Sequence, residues 1–374
     1  MAVREAPLSE RTQYGSARLP APMDFARGLT QADDATTPPH GSIPLLTAVP
    51  SRTQGRRRLA LGIVVGVACL AAAVHGVQPA RLWDVLRRVD LLWFVAAVVA
   101  VGPAFAAMSV RWSILLRPSG RVTPIRAGRL LAISYLINAV VPARGGDLAR
   151  CFLVGRPAGP ALATALATVL IEKALDGAAV VLLLLFVTAA GIGGPWLQRG
   201  VYVAGFIFLV ILFGATLAGH GSQRLATVLS WFFRPWPRLM ERIVRLAEQV
   251  ALGAAALTSA ASLLSIVGLT AVVWAATLVT TYCLTAAFGI AAPTLLPAAA
   301  LGIATLGLAV PATPGGVGAY QLLVVAVLST SGIARESALA FGLALQLCQV
   351  VPLIAIGAIA IAGRGRRGDE ARGR

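Results

Sequence analysis

The chain has 374 residues, 57% of them hydrophobic and 13% charged, with a mean hydropathy of +0.80 and a formal net charge of +17. A soluble domain of this length hides its apolar residues beneath a polar surface. These values exclude one and predict an all-α polytopic membrane protein.

The basic excess does not point to nucleic acid, because no basic soluble domain is present. Lys173 is the only lysine among 32 basic side chains. The arginines gather at the ends of apolar segments, at 56–58, 111–129, 224–245 and 364–374, as expected beside an anionic cytoplasmic leaflet. Cys69, Cys151, Cys283 and Cys348 form no CxxC pair, and His40, His75 and His220 are scattered. Neither a disulfide framework nor a metal site is expected, and no cofactor is called for.

Residues 1–55 are rich in Pro, Thr, Ser, Arg and Gly and read as a disordered cytoplasmic tail. The first apolar segment, LALGIVVGVACLAAAVHGV (59–77), starts too far in and runs too long for a cleaved signal peptide, so it reads as an uncleaved span. Further spans are expected at about 91–110, 160–189, 200–219, 262–288, 294–310, 317–332 and 338–362. The longest connection, 217–255, carries five arginines. Its Met240, Ile243, Val244, Leu246, Ala247 and Val250 recur at helical spacing. That suits an amphipathic helix on the cytoplasmic surface, or one that docks a membrane-protein partner. Residues 363–374 form a basic cytoplasmic tail.

The stretch LLAISYLINAVVPARGG (130–146) has about 14 apolar residues before Pro142, short for a span. If it crossed, Arg144, Arg150 and Arg156 would face outward. A re-entrant segment keeps them cytoplasmic, and non-helical backbone at that depth needs cover from protein or a wet cavity. A later stretch, LAVPATPGGVGAYQ (308–321), echoes AVVPARGGDLAR (139–150): Val-Pro-Ala, one or two residues, then Gly-Gly. Paired, Pro/Gly-broken segments approached from opposite sides mark an inverted-repeat transporter; ordinary breaks in an alanine-rich chain are the alternative. Making both re-entrant would strand the arginine-rich C-terminus outside, so the second is taken to cross. The expected architecture is about eight transmembrane helices plus one re-entrant segment in the cell membrane, with both termini cytoplasmic.

Four motifs, RWSILLRP (111–118), NAVVPARGGDLAR (138–150), EKALD (172–176) and VPATPGGVGAYQ (310–321), occur in that order. Over residues 56–362 the chain thereby resembles the flippase-like membrane domain of lysylphosphatidylglycerol synthases, a family with many stand-alone members. The resemblance implies a transmembrane domain that handles membrane lipids, anionic ones first. It implies site residues Asn138, Arg144, Gly145, Gly146, Asp147 and Arg150 in the first Pro/Gly motif. In the second it implies Pro314, Gly315, Gly316 and Gln321. Asp147 takes the family's acidic position there, and Arg144 and Arg150 the basic ones. Gln321 replaces the family's Glu, and Gln346 and Gln349 occupy the region where an arginine is often found. Full-length synthases also carry a soluble aminoacyl-transferase domain after the membrane part. Residues 363–374 leave no room for one, so lysyl transfer is not expected.

The span ATVLIEKALDGAAVVLLLLFV (167–187) holds Glu172, Lys173 and Asp176, and these two acids are the only ones of fifteen inside an expected span. At i and i+4 they share a helix face, with Lys173 about 100° away. Charge inside a bilayer costs a few kcal/mol or more, so such groups face a bundle interior or wet cavity and are paired. About 20 Å of uncharged helix at 177–189 places the acids in the cytoplasmic half, within reach of Arg144 or Arg150. Arg111 and Arg117 read as interfacial anchors. The expected site is a cytoplasm-open cavity lined by acid, arginine and the Gly145–Gly146 turn, which binds a polar or anionic lipid and moves it between leaflets. A structural ion cluster is the alternative. A membrane enzyme acting on a phospholipid or polyprenyl head group ranks lower, for want of a nucleophile, His cluster or repeated acidic motif. A non-catalytic subunit docking through 217–255 is the third reading.

Overall fold

The computed structural model describes residues 52–140, 145–155, 160–192, 195–220, 249–291, 294–308 and 316–372. Residues 1–51 of the expected N-terminal tail, most of the amphipathic connection, and Arg144, Pro314 and Gly315 lie outside the described residues; residues 52–55, expected in the disordered tail, instead open the first helix. Within them, all regular structure is helical. The helices are α1 (Arg52–Val74), α2 (Pro79–Arg87), α3 (Leu91–Leu116), α4 (Pro124–Val140), α5 (Gly145–Val154), α6 (Leu162–Ala189), α7 (Pro195–His220), α8 (Ala260–Ala287), α9 (Leu296–Leu308), α10 (Ala319–Ser329) and α11 (Arg335–Arg372).

Local chemistry sets the helix ends. Pro79 and Pro124 open α2 and α4, where a missing N–H costs no helix bond. Asp90 caps α3, its carboxylate accepting the Leu92 N–H at 2.8 Å. Between such ends the runs of Leu, Val, Ala and Ile satisfy their backbone polar groups within the helix, the solution an apolar surround demands. By length and composition, α3, α8 and residues Arg335–Ala362 of α11 can cross a membrane; Ile63–Val74 of α1 and α2, bent 82° apart, count as a fourth only if the pair is one broken span and not a re-entrant loop. At 28 residues α6 is as long as α8, and differs in holding Glu172, Lys173 and Asp176 near its middle.

Helices α3 and α8 run antiparallel. The Asp90 N–H donates to the Ala287 carbonyl at 2.9 Å, and the Thr280 hydroxyl to that of Ala97 at 3.3 Å. Packing around this seam is symmetric. If α3 exchanges with α8, α4–α5 with α9–α10, and α6 with α11, each contact among these eight helices maps onto another: α4 lies on α11 as α9 lies on α6, and α5 touches α6 as α10 touches α11.

Three local expectations are corrected. Helix α3 continues six residues past the expected end of its span at 110, so Arg111 lies within it. Residues 145–146 begin α5 instead of forming a turn, and the expected loop at 78–90 contains α2. The α4–α5 pair depends on a close backbone approach: a Cβ on Gly146 would sit 2.0 Å from the Ser134 carbonyl oxygen. Gly357 grips α4 from the other side, where a Cβ would lie 2.4 Å from the Ala132 carbonyl oxygen. Only glycine lets backbones meet this closely.

Candidate functional site

The charges of α6 are partnered from two other helices, α5 and α3. Glu172, fully buried, accepts both terminal nitrogens of Arg150 in α5, Nη1 at 3.2 Å and Nη2 at 3.0 Å. One turn along α6, Asp176 receives the fork of Arg111 from α3, at 2.7 Å and 3.1 Å. Two-pronged guanidinium–carboxylate contacts of this kind are the strong form of ion pair, and Arg is suited to them by its planar fork. Arg111 Nη1 also donates to the Thr270 hydroxyl of α8 at 2.9 Å. The α3–α8 seam and α6 are thus joined through one side chain.

Around Arg150 the packing is equally specific. Its guanidinium carbon lies 4.7 Å above the Trp112 ring, and the Trp112 indole N–H donates to Thr168 at 3.2 Å. Arg150 Nη2 reaches Asp147 at 3.2 Å, one turn back, and Asp147 also accepts from the Ser134 hydroxyl at 3.4 Å. The Gly146 N–H, left orphaned at the start of α5, donates to Asn138 Oδ1 at 2.8 Å. Lys173 Nζ stands 3.7 Å from Glu172 and 3.9 Å from Asp147. It therefore joins the same network, because its long flexible stem turns the ammonium back toward Glu172.

Three described cations and three anions make up this network. Its inner members are sealed, while the side chains of Asp147, Asp176 and Lys173 keep 16%, 22% and 35% of their surface exposed. Among the described residues no group of three or more His, Cys, Asp or Glu side chains is placed to hold a metal ion.

The structure thus brings Asn138, Gly146, Asp147, Arg150, Glu172 and Asp176 together, with Gly145 opening α5 beside them. The second motif builds a different, uncharged arrangement. Gly316 and Gly318 adopt left-handed φ of 73° and 89°. A Cβ on Gly318 would lie 2.1 Å from the Gly66 carbonyl oxygen. Gln321 accepts the Gly318 N–H at 2.7 Å and donates to Gln346 of α11. The amide pair bridges α10 and α11 just as Arg150–Glu172 bridges α5 and α6.

Sequence reasoning missed Arg111, Trp112 and Thr270. The signal for Arg111 was its place inside MSVRWSILL, an apolar stretch that continues past it with no turn residue. A charge there needs a buried partner as much as Glu172 does.

A family model for the transmembrane region of lysylphosphatidylglycerol synthase matches residues 59–357. The chain belongs to that family. A UPF0104 membrane protein of Methanothermobacter thermautotrophicus is 25% identical over 323 residues, covering 81% of this chain and 94% of that protein. No solved structure matches. The match takes in every residue of the ion network and the amide pair, so both lie within the family's shared membrane region, and this chain is a membrane protein.

Proposed function

We propose that this family member moves a polar lipid between membrane leaflets, with the head group engaging the open side of the α6 ion network. The observation that carries the reading is the division of that network into a sealed inside and an accessible edge. Arg150 and Glu172 are buried and paired with each other, whereas Lys173, Asp147 and Asp176 are partly open. An ammonium beside two carboxylates suits a head group that combines phosphate with positive charge, ahead of a purely anionic one. The symmetric packing of α3–α6 against α8–α11 supports an inverted repeat, and α4–α5 is read as a re-entrant hairpin within about eight spans, both termini cytoplasmic.

The test is leaflet exchange by the purified full-length protein in vesicles carrying a head-group series of fluorescent lipids, read by dithionite quenching. Exchange above protein-free vesicles is expected for at least one lipid. Exchange no faster than in empty vesicles for every lipid would sink the reading. Lys173→Met is expected to slow exchange about tenfold, the scale of one charge-assisted contact. Thermal stability should stay unchanged, since Lys173 is partly exposed and its partners are no nearer than 3.7 Å.

Topology has its own check. In a background freed of Cys69, Cys151, Cys283 and Cys348, a cysteine at position 155 is expected to react with impermeant reagent only from the cytoplasmic side. Reaction only from outside would overturn the hairpin.

A further inference from the structure

Helix α2 is short, PARLWDVLR, and leaves α1 at an angle of 82°. With α1 upright in the membrane, α2 lies along its surface instead of completing a span. The elbow between them is held by the start of α11. Gly76 takes a left-handed φ of 78° at the bend. Arg335 donates to the His75 carbonyl at 2.9 Å, and the Gln78 N–H donates to Glu336 at 3.2 Å.

Neighbouring residues set the level at which α2 lies. Asp90, just beyond it, caps α3, and its N–H bonds the Ala287 carbonyl in the last turn of α8. Two spanning helices therefore end here. Leu91 and Leu92 in the first turn of α3 are exposed, as apolar side chains are where hydrocarbon surrounds the protein. Trp83 and Trp93 are exposed too, and tryptophan gathers at the boundary between hydrocarbon and water. Arg111 stands near the other end of α3, about 30 Å along the helix. The α2 surface and the α6 network thus belong to opposite faces of the membrane.

The side chains of α2 follow one another around its axis in a telling order, at about 100° per residue. Leu82 and Val85 are half-buried and form the side turned to the bundle. Next comes an apolar edge that the bundle leaves uncovered, Leu86 at 44% and Trp83 at 54% exposure. Arg87 follows, its guanidinium carbon 4.9 Å over the Trp83 ring. Asp84 and Arg81 lie opposite the apolar edge, both exposed. A helix lying in the membrane surface beside a protein needs this sequence of sides: protein, acyl chains, head groups, water. Arg87 occupies the head-group flank, and stacking on an indole leaves its fork of donors free for a phosphate.

We propose that α2 is an interfacial helix that docks on the anionic surface of the leaflet opposite the α6 network, with Trp83 and Leu86 among the upper acyl carbons and Arg87 on a lipid phosphate. The partner is the leaflet surface and not the cargo, so the assignment holds whether or not the α6 network moves lipid.

The test places a fluorophore on Leu86→Cys, in full-length protein freed of Cys69, Cys151, Cys283 and Cys348 and reconstituted in phosphatidylcholine vesicles. Quenching is read with a nitroxide on the upper acyl chain of either phosphatidylserine or phosphatidylcholine. Both should quench, with phosphatidylserine favoured about fivefold beside the helix, the effect of one arginine near an anionic surface. Arg87→Gln should abolish that preference. Arg87→Lys keeps the charge and should keep the preference, which separates lost charge from a lost fold. A label on Asp84→Cys should instead be quenched by aqueous iodide. A Leu86 label quenched by iodide and not by lipid, equal quenching by the two lipids, a preference that survives Arg87→Gln, or one lost equally in Arg87→Lys would overturn the proposal.

Discussion

Glu172→Gln is expected to destabilise the protein by about 3 kcal/mol and to stop lipid movement, because it leaves Arg150 buried and charged with one of its two carboxylate partners gone. The pair is fully enclosed, at 0% side-chain exposure on both sides. Asp147 at 3.2 Å and the Trp112 ring remain to Arg150, so the loss should fall at the lower end of what breaking a buried pair costs. The double variant Arg150→Met with Glu172→Met removes both charges and keeps the volume. Replacing a buried pair by apolar groups is often neutral or better, so stability should return. If the pair merely clamps α5 to α6, lipid movement returns with it. The reading proposed here expects a stable, inactive protein, because α5 positions Asp147 and α6 positions Lys173 only while the pair fixes their register. Unfolding by denaturant, measured beside leaflet exchange, separates the two. Wild-type movement in the double variant would end the claim that this network carries the function.

Gly146→Ala should have the next largest effect. The added Cβ would meet the Ser134 carbonyl oxygen at 2.0 Å and Asn138 Oδ1 at 2.8 Å. The nearer neighbour is backbone of a buried turn of α4 and cannot swing aside. The helices must part, at a cost of about 1–3 kcal/mol, and α5 carries Asp147 and Arg150 away from α6 as it moves. Gly102→Ala is the control. Its Cβ would meet nothing within 4 Å, and replacing glycine within α3 should stabilise by up to about 1 kcal/mol. Thermal unfolding of the two variants in the same detergent gives the comparison. A Gly146→Ala protein as stable as the Gly102→Ala protein would contradict the close α4–α5 contact.

The class of the molecule, the rough positions of its long apolar helices, though not of α2 or α5, and the need for partners at Glu172 and Asp176 were legible in the sequence. Each depends on residues near one another along the chain. An apolar run satisfies its own backbone as helix, and a charge within such a run carries a desolvation cost wherever the helix is placed. The four motifs that carried the resemblance to the family were equally local, and the family match over residues 59–357 agrees with them.

What tertiary structure decided was which partner each charge takes. Glu172 had Arg144 and Arg150 as candidates, and the contact described is with Arg150, because Gly146 lets α5 close on α4 and brings the next turn against α6. Asp176 takes Arg111, 65 positions away, a residue that hydropathy placed at the membrane edge. Lys173, about 100° off the acids' face by helix geometry alone, reaches Glu172 and Asp147 through its stem. Helix formation and hydrophobic burial are set by neighbours in sequence, whereas ion pairs are set by how distant helices cross, and that is fixed only when the whole bundle packs.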